Sequence, residues 1–78
     1  MIDANIIGEI IRCEREEKNL SQEVLSGLAG LERTHYSKIE RGLRCPTIET
    51  LFRIADALEI PPHELIKKIE NAYKADQT

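Results

Sequence analysis

The chain has 78 residues, of which 41% are hydrophobic and only 4% aromatic, and its formal net charge is −3. A chain of this length forms one small domain that buries about 60% of its unfolded surface, which leaves no room for a separate catalytic domain. It contains no apolar run near the roughly 20 residues of a membrane span and no signal-peptide pattern, so we expect a single domain over residues 1–78, located in the cytoplasm.

The apolar residues predict helices, because Ile and Leu recur at intervals of three and four residues along most of the chain. The first helix is predicted over about residues 5–18, and Asn19 is a plausible left-handed stop. Its predicted buried stripe consists of Ile6, Ile7, Ile10, Ile11 and Cys13.

Two short helices come next, separated by a glycine. Ser21 is a predicted N-cap for a helix over residues 22–29, which Gly30 ends. A third helix is predicted over about residues 32–41, followed by Gly42, which can adopt a positive φ just past the helix end.

Two further helices complete the predicted fold, which is all-α with five helices. Thr47 caps a fourth helix over about residues 47–58, and Pro62 suits the first turn of a fifth over about residues 62–74. The apolar positions of the fourth helix are spaced for burial: Ile48, Leu51, Phe52, Ile54, Ala55 and Leu58.

The segment from Ser21 to Gly42, SQEVLSGLAGLERTHYSKIERG, resembles the helix-turn-helix of the phage Cro and repressor proteins, the XRE family. The motifs IG at 7–8, REEK at 15–18 and LFRIADAL at 51–58 extend the match over nearly the whole chain. Small controller proteins of restriction-modification systems are the members it resembles most. The resemblance implies a lambda-repressor-like fold and a transcriptional regulator that binds double-stranded DNA as a homodimer on a palindromic operator.

The packing that such a motif needs indicates which side chains face the DNA. A small residue is required where the second helix crosses the third, and Ser26 occupies that position, although the family usually has alanine there. If Tyr36 and Ile39 face the core, the first two turns of the third helix face the major groove. The predicted base-reading residues are then Arg33, Thr34, Ser37 and Lys38.

The resemblance also assigns residues that hold the DNA backbone. It implies that Ser21 and Gln22, at the start of the second helix, hold a phosphate, to which Gln22 donates, while Arg41 and Arg44 follow the backbone of the other strand. His35 is either a further phosphate contact or an uncommitted surface residue. Four basic residues against Glu40 give the stretch 33–44 a net charge of +3 and leave −6 for the rest of the chain, a distribution compatible with phosphate binding.

A structural ion pair is implied by the same resemblance, between Arg15 in the first helix and Glu40 at the end of the third. Removing one partner would leave a partly buried charge and cost about 3–5 kcal/mol if the pair is deeply buried. Glu14 departs from the family pattern, which has an aliphatic residue at that position.

The last part of the chain carries more apolar residues than a terminal helix can bury in one small core. This excess predicts a two-fold interface between copies, since the family's dimers commonly use the C-terminal helix. The alternative is that the fifth helix covers only its own core. The predicted interface residues are Ile60, Leu65, Ile66, Ile69 and Tyr73.

The same residues are compatible with other functions. An antitoxin or a phage repressor would share the same residues, and the chain could be one DNA-binding domain of a longer protein. The acidic total charge favours a protein-interaction module without DNA binding, but the polar and basic residues of the third helix disfavour it. Because Cys13, Cys45, His35 and His63 lack catalytic or metal-site spacing, we expect no enzymatic activity, disulfide, metal, cofactor or small-molecule ligand.

Overall fold

The computed structural model describes residues 2–77, and this part of the chain forms five helices and no strand. The helices are α1 (Ala4–Glu17), α2 (Gln22–Ala29), α3 (Arg33–Glu40), α4 (Ile48–Ala57) and α5 (Pro62–Asp76). Their bounds lie within two residues of the sequence predictions, which confirms the all-α fold. No helix in the described range is long and apolar enough to cross a membrane.

Local capping chemistry explains where the helices begin and end. Ser21 and Thr47 each accept a hydrogen bond from the backbone N–H three residues later, at 3.0 and 3.1 Å. Such bonds satisfy donors that have no partner inside the helix. Gly30 and Gly42 adopt φ angles of 71° and 77°, and Asn19 adopts 57°, so the predicted left-handed stops are confirmed.

The five helices share one apolar core. Leu25 of α2 and Tyr36 and Ile39 of α3 are completely buried in this core. Leu65 of α5 is completely buried in it as well. The remaining buried apolar residues are Ile7, Ile11, Ala29, Leu51, Ile54, Ala55, Leu58 and Ile69.

The predicted stripe of α1 is wrong at one position. Cys13 is exposed, and the next residue, Glu14, is buried instead, because Ile7, Ile11 and Glu14 follow the helical spacing i, i+4, i+7. Lys68 of α5 donates a hydrogen bond of 2.8 Å to the Glu14 carboxylate. The same bond raises the pKa of Lys68 and joins α1 to α5.

The burial predicted for α4 and the interface predicted for α5 also need correction. Ile48 and Phe52 are 69% and 45% exposed, because they lie at the margin of the α4 face that packs on the core. Leu65 and Ile69 are core residues of the monomer, so they present almost no surface to a second copy. Ile66 is exposed, and Ile60 and Tyr73 are half-buried.

α1 and α3 cross at Gly8. A Cβ atom on Gly8 would meet the carbonyl oxygen of Ile39 and would lie 2.5 Å from that of Glu40. Both obstacles are backbone atoms, which cannot move without shifting α3. In the sequence Gly8 is recognisable only as part of the IG motif, whereas the structure shows that it allows the close approach of α1 and α3.

We expect Gly8→Ala to destabilise the protein by about 1–3 kcal/mol, because the new methyl group would force α1 away from α3. Gly27→Ala is the matched control, since a Cβ at Gly27 meets nothing within 4 Å. That change should stabilise α2 by about 0.5–1 kcal/mol through helix propensity. Urea unfolding of both variants measures the effects, and equal stabilities would contradict the proposed close approach.

Candidate nucleic-acid interface

α2 and α3 are locked together by residues on their inner faces. Leu25, Tyr36 and Ile39 are completely buried between the helices and the core, and Gly30 makes the turn. Ser26 is 2% exposed, and its hydroxyl donates to the carbonyl of Glu23 at 3.1 Å, so the departure from alanine leaves no unpaired polar group. The outer face of α3 is therefore held in a fixed position relative to α2.

Five of the predicted base-reading and phosphate-contacting residues meet in one shallow groove between the start of α2 and the outer face of α3. Arg33 and Thr34 lie in the first turn of α3 and are exposed. The lining of the groove consists of Gln22, Arg33, Thr34, Ser37 and Arg41.

The remaining predicted contacts lie around this groove. Lys38 and His35 are half-buried on α3, and Arg44 is exposed in the loop after it. Ser21 is exposed, but its hydroxyl oxygen already accepts the capping bond of α2, so only its proton remains available to a phosphate. None of these four residues lines the groove.

The cations on this side of the molecule form no ion pair with a residue that the structure describes. Arg33, Lys38, Arg41 and Arg44 form no salt bridge with any described residue. In contrast, Arg53 on α4 pairs with Glu49, and Lys74 on α5 pairs with Glu70. Unpaired cations on one face keep their charge available to an external anion, which is the electrostatic arrangement that phosphate binding requires.

Sequence reasoning missed a second polar groove that continues from the first along α1. The two grooves share Gln22 and Arg41, and the second adds Arg12 and Asn5 of α1. The helical spacing of Asn5, Glu9 and Arg12 would have placed them on one face of α1, but only the structure shows that this face adjoins α2.

The carboxylate of Glu40 lies behind the first groove and lines the second, although its side chain is only 2% exposed. Arg15 donates to it through Nε at 2.6 Å and through a second nitrogen at 3.2 Å. The Tyr36 hydroxyl donates to Oε2, and Gln22 Nε2 donates to Oε1 at 2.9 Å. This carboxylate therefore joins α1, α2 and α3.

The hydrogen bonds within this cluster determine the protonation states of its members. Burial raises the pKa of Glu40, but the bonds from Arg15, Tyr36 and Gln22 lower it by more, so the pKa lies below its ordinary value. Burial and the bond to this carboxylate raise the pKa of Tyr36, and the bond to Glu40 raises that of Arg15. At neutral pH the cluster is an ionised Arg15–Glu40 pair held by two neutral donors.

This cluster predicts a loss of stability in acid. The contribution of Glu40 is complete above the ordinary glutamate pKa of 4.5 and is lost as the pH falls from there through the lowered pKa of the folded state. We expect the Tm to fall below about pH 4.5, with the Glu40 carboxyl carbon titrating in NMR spectra below the ordinary range. Titration of that carbon at or above the ordinary value would contradict the geometry.

Comparisons with known proteins agree with this geometry. The family model described as Helix-turn-helix matches residues 11–65. The ImmF control region 10 kDa protein of Bacillus phage phi105 is 40% identical over 55 residues, which are 70% of this chain and 61% of that protein. The chain therefore spans about three fifths of the length of this relative.

Two solved structures share the fold. The restriction-modification controller protein C.AhdI from Aeromonas hydrophila has a TM-score of 0.78 and 38% identity, over 83% of this chain and 98% of that one. C.Esp1396I bound to a 19 base pair DNA duplex has a TM-score of 0.83 and 29% identity, over 92% and 96% of the two chains. The chain thus belongs to the helix-turn-helix family of DNA-binding transcriptional regulators of the Cro, repressor and controller type, as the sequence predicted.

Proposed function

We propose that the protein binds a palindromic operator as a homodimer in the cytoplasm, with α3 of each copy in the major groove of the DNA. The observation that carries this proposal is the groove between α2 and α3. It brings Gln22, Arg33, Thr34, Ser37 and Arg41 together, and its cations have no ion-pair partner among the described residues.

The position of each residue on its helix distinguishes the residues that contact base edges from those that contact the phosphate backbone. Arg33 and Thr34 lie in the first turn of α3, where side chains reach base edges, and Ser37 follows one turn later. An arginine there can bind guanine through two hydrogen bonds. Arg41 and Arg44 lie past the end of α3, so they hold the phosphate backbone and set the orientation of the helix without reading sequence.

An apolar groove supports the homodimer. It lies between the loop before α4 and the first half of α5 and is lined by Ile2, Cys45, Pro46, Ile48, Ile66 and the buried residues beneath them. Phe52, exposed one turn after Ile48, extends it along α4. Apolar surface of this kind on a small protein marks an interaction site. A two-fold interface here would use Ile66, with Ile60 and Tyr73 at its border.

Similarity to a phage control-region protein and to a restriction-modification controller protein favours a small transcriptional regulator. The competing role, a protein-interaction module that has lost DNA binding, would no longer need basic and polar residues on α3. Arg33, Thr34, Ser37 and Lys38 are all present there, which disfavours that role.

Selection of bound duplexes from a random pool at near-physiological salt tests this function. We expect enrichment of a palindrome whose half-sites lie about one helical turn apart, because a two-fold dimer presents two α3 helices to one side of the duplex. Enrichment of a single half-site would contradict the dimer, and no enrichment over the input pool would refute specific DNA binding.

Two arginine variants separate reading from positioning on the enriched duplex. Arg33→Ala should cost about 1–3 kcal/mol of binding free energy and relax selectivity at one base pair. Arg44→Ala should weaken binding to all sequences alike. It should also reduce the slope of the logarithm of the binding constant against the logarithm of the salt concentration by about one. Lys74→Ala, on the far end of α5, is the control and should leave affinity unchanged. A uniform loss in both arginine variants would contradict the assignment.

Ile48→Lys tests the dimer, because a lysine at this 69% exposed position leaves the core intact but would place a charge in the apolar groove. We expect the wild-type protein to have twice the 8.9 kDa chain mass in sedimentation equilibrium and the variant to be monomeric. Leu28→Lys, at a 64% exposed position on α2, is the matched control and should remain dimeric. A dimeric Ile48→Lys protein would place the interface elsewhere.

A further inference from the structure

Gln22 contributes both to the groove surface and to the buried hydrogen-bond cluster around Glu40. It lines the groove between α2 and α3, and its amide donates to Glu40, whose carboxylate is nearly inaccessible to solvent. Of the three residues that donate to this carboxylate, Arg15 and Tyr36 do not line that groove. Gln22 is thus the donor that links this carboxylate to the groove between α2 and α3, whereas Arg15 and Glu40 line only the adjoining groove along α1.

The chemistry of the two groups sets the orientation of the Gln22 amide. An ionised carboxylate can only accept hydrogen bonds, so the nitrogen of the amide must face Glu40. One of its two N–H groups is used in this 2.9 Å bond. The second N–H and the carbonyl oxygen have no hydrogen-bond partner among the described residues.

A DNA phosphate also only accepts hydrogen bonds, so it requires the second N–H of the same nitrogen. A glutamine without Glu40 would have to restrict three side-chain torsions when it bound that phosphate, which opposes binding through lost rotamer entropy. With Glu40 in place, that restriction is present before the DNA arrives. Arg15 neutralises the charge of Glu40, so the carboxylate can serve this purpose near a phosphate without strong repulsion.

We propose that Glu40 is a positioning residue for DNA binding, because it holds the Gln22 amide with one N–H presented to a phosphate at the start of α2. This role rests on the proposed function and adds to it a connection between the buried ion pair and operator affinity. Arg15 and Tyr36 act indirectly, because their hydrogen bonds hold the Glu40 carboxylate in place.

The side-chain amides of the free protein give the first test, because the chain has only two glutamines, Gln22 and Gln77. In a protein labelled with ¹⁵N-glutamine, the two Nε2 protons of Gln22 should be well separated, with an order parameter near the rigid value of about 0.85. Gln77, exposed at the end of α5, is the internal control and should lie below about 0.6. Equal mobility of the two side chains would overturn the proposal.

A double-mutant cycle on the enriched duplex gives the second test, with Gln22→Ala, Glu40→Gln and the double variant. We expect Gln22→Ala to lower affinity about tenfold in the wild-type background and less than about twofold in the Glu40→Gln background. An equal loss in both backgrounds would show that Glu40 acts only through folding and would overturn its positioning role. If the wild-type protein binds no duplex, the proposed function fails and this role fails with it.

If Glu40→Gln does not fold, the amide measurement on the wild-type protein still decides the outcome. Adding the enriched duplex should then shift the free Nε2 proton of Gln22 and leave both protons of Gln77 unchanged. A rigid Gln22 amide whose signals do not shift on addition of DNA would overturn the proposal. A mobile Gln22 amide would also overturn it.

Discussion

The buried carboxylate of Glu40 is the interaction on which the rest of the structure depends. It accepts hydrogen bonds from all three helices that build the interface, through Arg15 of α1, Gln22 of α2 and Tyr36 within α3. A buried charge is costly unless it is paired and fully hydrogen-bonded, so this carboxylate permits only one arrangement of the three helices. Gly8 reinforces that arrangement, because it lets α1 approach the same end of α3.

The division of charge over the surface follows from this arrangement. α4 and α5 carry ion pairs within each helix, and Lys68 pairs with Glu14 of α1. The outer face of α3 and the loop after it carry cations that pair with no described residue. An acidic chain can therefore present a basic face, because most of its negative residues lie on other elements, where Arg53, Lys68 and Lys74 partly neutralise them.

Sequence reasoning was accurate where local chemistry decides the structure and inaccurate where distant helices meet. Caps such as Ser21 and Thr47, and the left-handed residues Asn19 and Gly30, act within a few residues, so the helix bounds could be predicted. The burial of Glu14 depends on Lys68, 54 residues away, and no periodic pattern reveals such a partner.

The same limit applies to the apolar surface and to the candidate site. Which side of α4 and α5 faces the core depends on how the two helices pack, so the exposure of Ile48 and the burial of Leu65 could not be read from spacing alone. The outer residues of α3 could be predicted, because burial of Tyr36 leaves only one face free. The bond from Gln22 to Glu40 required the structure, since it joins the surface to the core.

In the proposed complex, the DNA contacts the face formed by the start of α2, the outer side of α3 and the loop at residues 41–44. Backbone amide shifts in NMR spectra, recorded while the enriched duplex is added, test this contact face. We expect large shifts at Gln22, along α3 and at residues 41–44, with little change in the second half of α5. Shifts confined to α4 and α5, with α3 unaffected, would contradict it.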